Sequence, residues 1–427
     1  MMKEESKSLF DKIKVGVIKT LSANVINKAI SMISSMVITR LLTTNDYGVW
    51  SYVLNIYSYL LLVSGFGLIS GALQFGTENK GEGKAYRFFK YCTKTGLIID
   101  IVIISIFCII VAFIQLPIQG TKPFVIVFLP VLLMEYINSI GQSILRSQNR
   151  IGEYANVLNI NTILVTIGTC GGALIGLNGV IVGRYVAYFL SMIYTIWLLK
   201  ADIKKINYAD ALDKHEKKQL WHYSVFTGAS SAMNCLVYSL DITLIASLLK
   251  NANEVGIYRV GTLIPNALQF IPSSLIISIL PMVIQNRDNP EWLRKNLKKS
   301  YLALLGVNAL IVLFLFIASP FIIRLFSGEK YVSSIPVLRI LSLGYFFSGT
   351  FRGMSVNLLA AFRRVRFGLF ISIVSCVLDI VLNYFLINIY GMIGAAYATF
   401  VVDFVAAMIS FIYFIFLIRK GSINENN

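Results

Sequence analysis

Apolar runs of about 20 residues recur twelve times along this chain, and each is long enough to cross the hydrocarbon of a bilayer as a helix. Nothing else in the sequence restricts the fold as tightly. A segment in hydrocarbon has to satisfy its own backbone hydrogen bonds, which leaves helices and closed barrels, and runs of this length are helical. The spacing predicts spans near 20–40, 48–75, 92–115, 122–145, 155–177 and 178–200, then near 223–249, 256–284, 299–324, 336–362, 367–389 and 392–418. Composition agrees: 56% of the 427 residues are hydrophobic and only 14% are charged, against about 25% charged in a soluble domain. The expected fold class is an all-α integral membrane protein with about twelve transmembrane helices.

A net charge of +17 would suit a nucleic-acid partner if the bases were clustered. They fall between the apolar runs instead, and no nucleic-acid partner is expected. Of the 38 lysines and arginines, 28 lie in alternate loops or at the two ends of the chain, five lie at the opposite helix ends and five lie inside the runs. Cytoplasmic loops carry such an excess, so both termini are expected inside. Residues 1–19 read as an amphipathic cytoplasmic lead-in on the membrane surface, 419–427 as a cytoplasmic tail, and no cleavable signal is expected.

The halves echo each other. Asp46-Tyr47-Gly48-Val49-Trp50 follows the first run, and Glu254-Val255-Gly256-Ile257-Tyr258 follows the seventh. A second echo links Gly176–Val186 with Gly391–Val401 at a similar offset. Six helices per half, entering from the same side, predict two lobes related by a pseudo-two-fold axis along the membrane normal. The lobes are expected at 20–200 and 223–418, joined by a cytoplasmic linker at 201–222. Gly168-x-x-x-Gly172 and Gly172-x-x-x-Gly176 permit close helix contact. Pro265 and Pro272 interrupt the eighth run, as a static kink or as a moving hinge.

Polar residues inside apolar runs are where chemistry is expected, because they are costly there. In the first run Asn24, Lys28, Ser31, Ser35 and Thr39 recur at helical steps and share one face. Lys28 and Arg352 lie deepest among the bases, while Arg184, Arg259 and Arg339 lie nearer the outer ends, with Arg40. The outer group either lines a cavity mouth or snorkels to head groups. A basic cavity lined by Asn24, Lys28, Ser31, Arg184, Arg259 and Arg352, with Arg40 and Arg339 at its outer mouth, would favour an anionic substrate. Five acids also lie in the runs: Asp100, Glu135, Asp241, Asp379 and Asp403. Each either neutralises a buried base or serves transport. Asp241 and Asp379 are the candidates for coupling to H+ or Na+, Asp379 because Asn383 follows one turn later.

Other activities find no support. The two histidines share one loop, the five cysteines stand singly without metal-ligand spacing, and neither a metal nor a cofactor is expected. Gly76–Lys84 fails the phosphate-loop pattern. The outer loops are too short for a catalytic domain, so an enzyme is not expected.

Between the first two runs stands Arg40-Leu41-Leu42-Thr43-Thr44-Asn45-Asp46-Tyr47-Gly48. This R-L-L-x-x-x-D-Y-G pattern, ahead of eleven further apolar runs, resembles the polysaccharide flippases, the Wzx-like translocases of the multidrug/oligosaccharidyl-lipid/polysaccharide superfamily. The resemblance implies a bacterial plasma (inner) membrane protein that moves undecaprenyl-diphosphate-linked oligosaccharide from inner to outer leaflet, alongside the polysaccharide polymerase machinery. It implies a diphosphate near Lys28 and Arg352, the sugar in the cavity and the polyprenyl tail in membrane lipid. Two relatives remain as alternatives. A cation-coupled multidrug exporter would be expected to carry an acid in the first helix, where this chain has Lys28. A lipid II flippase would be expected to carry two further helices.

Overall fold

The computed structural model describes residues 26–79, 83–286, 289–362 and 364–420. The lead-in 1–19, Asn24 and residues 421–427 lie outside them. Every regular element among the described residues is helical. Helix α1 covers 26–41. The second crossing is α2 (Thr44–Val63), a 3-10 turn (Ser64–Gly67) and α3 (Leu68–Glu78). Helix α4 (Ala85–Phe113), the pair α5 (Lys122–Phe128) and α6 (Val131–Ser147), then α7 (Ile151–Ala173) and α8 (Leu177–Leu198) complete the first six. A short α9 (Lys200–Tyr208) leads to α10 (Lys214–Leu249), α11 (Ala252–Leu268), α12 (Phe270–Gln285) and α13 (Pro290–Phe326). A 3-10 turn (Glu329–Ser334), α14 (Ile335–Phe347), a π-helical turn (Ser348–Arg352) and α15 (Gly353–Ala361) make the tenth crossing, before α16 (Val365–Tyr390) and α17 (Met392–Lys420).

Helix thus occupies all twelve expected positions, and eight spans among the described residues are long and apolar enough to cross a membrane. The other four have local reasons for falling short. Helix α1 is short, 26–41 among the described residues, and the apolar stretch of α10 is Ser239–Leu249. The break at Gln269, between Pro265 and Pro272, divides the eighth crossing into two short helices. Helix α7 carries Asn156, Asn159 and Asn161 among its apolar residues.

Contacts group the chain into two units, Met1–Leu42 with Val53–Cys235, and Thr43–Tyr52 with Leu236–Asn427. The boundaries cut through α2 and α10, so each of these helices belongs partly to one unit and partly to the other. The first unit is centred on Leu68, Phe88, Phe89, Tyr136, Leu145 and Leu220. The second has a core of Val283, Leu293, Leu304, Met354 and Phe414. Residues such as Ile101, Ile109 and Phe113 of α4 are exposed, which suits a surface facing lipid.

The motif at 40–48 now has physical content. Thr43 Oγ1 accepts the N–H of Asp46 (3.0 Å) and donates to Asp46 Oδ2 (2.9 Å), which closes the first turn of α2 as a capping box does. Tyr47 is buried edge-on against Tyr331, ring centroids 6.0 Å apart. A Cβ on Gly48 would fall 1.7 Å from the carbonyl oxygen of Ala252, and one on Gly256 would fall 2.6 Å from that of Thr44. The two echoing segments therefore pack backbone to backbone within the second unit, and Thr44 Oγ1 donates to Asn253 Oδ1 (2.7 Å). The second echo is a shared hairpin device. Gly176 and Gly391 both take positive φ, 95° and 60°, at the turns before α8 and α17.

Residues 201–222 are docked on the first unit. Asp202 of α9 is buried and accepts from Arg150 Nη1 (2.6 Å), Gln148 Nε2 (3.1 Å) and Tyr86 OH (3.2 Å). Arg87 makes a two-pronged pair with Glu216, at 3.1 and 2.9 Å, and Lys90 donates to the carbonyls of Asn207 and Ala209.

Candidate functional site

The richest constellation of buried polar groups is in the second unit, where α10, α11, α16 and α17 meet. Asp241 of α10 is 7% exposed and Asp379 of α16 is 2% exposed. Asp241 is saturated with donors: Tyr258 OH and Thr399 Oγ1 (2.8 Å) reach Oδ2, and Asn383 Nδ2 reaches Oδ1 (3.0 Å). The same Asn383 amide donates to Asp379 Oδ1 (3.0 Å), because the two residues stand one turn apart on α16. Asn383 is fully buried, and its amide ties the two carboxylates together.

Two oxygens are left over. Asp379 Oδ2 and Asn383 Oδ1 are buried and lack a hydrogen-bond partner among the described residues. A buried polar oxygen without a partner costs about 1–3 kcal/mol, more when charged, so a ligand that supplies positive charge would be stabilising here. A cavity of about 60 Å³ is lined in part by Asp379. At roughly 10–15 Å³ of such volume per water, that is room for a few waters or a partly hydrated monovalent cation. Its lining includes Asp241, Asp379, Asp403, Arg259 and Tyr345.

Charge counting points the same way. Arg352, delivered by the π-helical turn, pairs with Asp403 at 3.4 Å, and Arg259 lines the cavity itself. Three carboxylates thus face two guanidinium groups, which leaves one negative charge in excess when all are ionised. The turn carrying Arg352 is held by a second polar chain, in which Tyr345 OH donates to Asn308 Oδ1 (2.9 Å) and Asn308 Nδ2 donates to Thr350 Oγ1 (3.0 Å). π-Helical turns recur at functional sites.

The remaining sequence candidates are more scattered. Lys28 and Ser31 are exposed on α1, whose buried Ser34 contacts Thr169 Oγ1 at 3.4 Å. Arg184 donates to Tyr188 OH (3.4 Å) and stands over the Tyr188 ring at 5.6 Å. In the same unit Glu135 accepts from Tyr57 OH (2.8 Å). Arg339 donates to the carbonyl of Phe316 (3.1 Å) and to Ser319 Oγ (2.8 Å), over the Phe316 ring. Arg40 is exposed at the end of α1. The structure therefore gathers Asp241, Asp379 and Arg259 about one cavity, sets Arg352 behind it through the lining residue Asp403, and places Arg339 elsewhere on the same unit. Tyr258 and Thr399 are the site residues that sequence reading missed. Tyr258 ends Glu254–Tyr258, the later member of the first echo, so its position was visible but its hydroxyl's role was not.

Comparison with known proteins bears on the whole chain. The family model described as "Polysaccharide biosynthesis protein" matches residues 13–287, and the MatE model matches residues 229–385. The curated protein "Putative O-antigen transporter" of Shigella flexneri is 21% identical over 221 residues, 52% of this chain and 52% of that protein. The chain thus spans about half the length of the curated relative it matches. Among solved structures, an inward-facing multidrug resistance MATE family transporter of the MOP superfamily superimposes with a TM-score of 0.76, at 15% identity, over 94% of this chain and 96% of that one. The lipid II flippase MurJ, in an inward closed conformation, gives 0.74 at 16% identity, over 94% and 87%. At such identities the likeness is one of fold.

Proposed function

This chain belongs to the polysaccharide biosynthesis protein family, and from that premise we infer that it is a flippase for lipid-linked oligosaccharide. It carries undecaprenyl-diphosphate-linked repeat units from the inner to the outer leaflet of the bacterial inner membrane by alternating access, for surface polysaccharide assembly. The family match over 13–287 is the observation that carries this reading. Within it Lys28, exposed on a membrane helix with Ser31 one turn away, meets the diphosphate, and the excess negative charge around Asp241 and Asp379 takes up the coupling H+ or Na+. Two carboxylates bridged by one amide, with two unpartnered oxygens beside them, form a donor set of the kind that binds a small hard cation.

The test reads both sites at once. A flippase-null bacterium is complemented with Lys28→Arg, Lys28→Met and Lys28→Glu, with membrane abundance measured in parallel. Arg should retain much of the polysaccharide export, Met should lose most of it at normal abundance, and Glu should be worst. Full export by an abundant Lys28→Met protein would sink the phosphate role. For the ion, Asp379→Asn should abolish the dependence of transport on the cation gradient while substrate still binds. Unchanged dependence would return Asp379 to a structural role.

One observation favours a second reading. The MatE model matches 229–385, the stretch that holds Asp241, Asp379 and Asn383, so the cation machinery also suits a multidrug exporter. Export of cationic dyes by the unaltered chain would favour that reading over the flippase.

A further inference from the structure

The second unit holds another cavity, with a lining distinct from that of the acidic one. It is a groove of about 660 Å³ beside the beginning of α13. Arg294 and Lys298 line it at one end of that helix and Leu305 lies furthest along. At 1.5 Å per residue the distance between Arg294 and Leu305 is about 16 Å, close to one leaflet of a hydrocarbon core about 30 Å thick.

Its floor is aromatic. Phe411 stands edge-on to Tyr301 and to Phe351, with centroids 5.1 and 4.9 Å apart, and Phe414 lies 6.4 Å from Tyr301. The Tyr301 hydroxyl is engaged with Ser355 Oγ at 2.8 Å, which leaves the ring as the apolar part of the wall. Leu302 and Leu305 of the lining are exposed, 56% and 38%.

The charge is all of one sign. Arg294 and Lys298 are exposed, one helical turn apart, and among the described residues no carboxylate lines the groove. Neither makes an ion pair among the described residues. Lys295 and Lys299 accompany them, so four bases crowd into six residues at the end of a membrane helix. Basic clusters at that position, and basic pockets between membrane helices, attract anionic lipid head groups. The groove shares no lining residue with the acidic cavity, so an occupant here is held apart from the proposed ion site.

We propose that this groove is a site for a resident anionic glycerophospholipid, with its phosphate between Arg294 and Lys298 and an acyl chain along Tyr301, Leu302 and Phe411. The charge distribution of the loops puts it in the inner leaflet. The assignment holds whether the transported substrate is an oligosaccharide lipid or something else.

The test uses the purified full chain in detergent micelles, with thermal unfolding followed as dioleoyl phosphatidylglycerol or dioleoyl phosphatidylcholine is added. Phosphatidylglycerol should raise the midpoint well beyond phosphatidylcholine. The double variant Arg294→Gln/Lys298→Gln should lose that difference, with apparent affinity for phosphatidylglycerol on the order of tenfold weaker, and should match the parent in phosphatidylcholine. Ile415→Trp, which fills the groove and keeps the bases, should lose it as well. Lys295→Gln/Lys299→Gln, on the same helix but outside the lining, should keep most of it. An equal loss in that control would reduce the effect to diffuse surface charge and overturn the site. A parent that fails to distinguish the two lipids would overturn it too, and so would undecaprenyl phosphate displacing phosphatidylglycerol with a larger shift, which would make the groove a seat for the substrate anchor.

Discussion

Gly48 shows how much a single missing methyl group can decide. Its Cα faces the backbone of Ala252 so closely that a Cβ would overlap the carbonyl oxygen at 1.7 Å, and backbone cannot swing aside as a side chain can. Gly48→Ala should therefore lower stability by about 3 kcal/mol, the upper part of the range for overpacked interiors, read as a lower unfolding midpoint and reduced membrane abundance. Gly306→Ala on α13 meets no atom within 4 Å and should be neutral or mildly stabilising. Equal behaviour of the two variants would count against the close crossing. At this scale the sequence was legible in part. Asp241 and Asp379 could be picked out because an acid in an apolar run is costly wherever it points. Tyr258 and Thr399 could not, since a hydroxyl on an apolar helix is commonplace and only its partner across 17 or 158 residues gives it a role.

Among elements, the linker behaves differently from a tether. Helix α9 is clamped to α4 and to the start of α7 through Asp202 and Lys90, Arg87 of α4 holds Glu216 at the start of α10, and Arg150 joins Asp202 to Glu153. The hydrogen bonds from Arg150 hold the Glu153 carboxyl below its ordinary value of 4.5. A depressed acid stabilises the folded arrangement above its unfolded value, and that contribution is lost as pH falls through the folded one. Glu153 is partly exposed, so solvent screening keeps the effect modest. Proteolysis between α9 and α10 should accelerate as pH drops below about 4.5 and stay level above it, and Glu153→Gln should flatten that profile. A rate insensitive to pH in the parent would remove Glu153 from the clamp. The helices themselves were readable from the apolar runs, because burial in hydrocarbon imposes length and composition together. Their breaks were less so. The prolines announced the interruption near Gln269, but that at Ser64–Gly67 depends on Asp100 of α4, which accepts from Ser64 Oγ and from the N–H of Gly65, both at 2.8 Å. No local signal in α2 and α3 names a carboxylate that lies on the next helix.

For the whole molecule the outstanding question is orientation, and the loop charges answer it with a testable order. Cysteines placed at Asp210 and at Asn289 should be shielded from an impermeant thiol reagent in intact cells, and one at Ser327 should react. Labelling at Asp210 from outside would invert the assignment. The grouping of the helices carries a consequence for how the protein is made. Thr43–Tyr52 leave the ribosome early, yet the unit they join begins only at Leu236, and the first unit in turn draws on α10 as far as Cys235. Neither unit can be finished before the seventh crossing has entered the membrane. A product truncated at the linker would leave the Gly48 surface without its Ala252 partner, and fragments divided there would each lack residues that the other holds. Insertion of the seventh crossing thereby completes the first unit, while the second is finished only with the helices that follow, up to α17. A chain that stalls after six crossings therefore shows two unfinished units rather than one finished half.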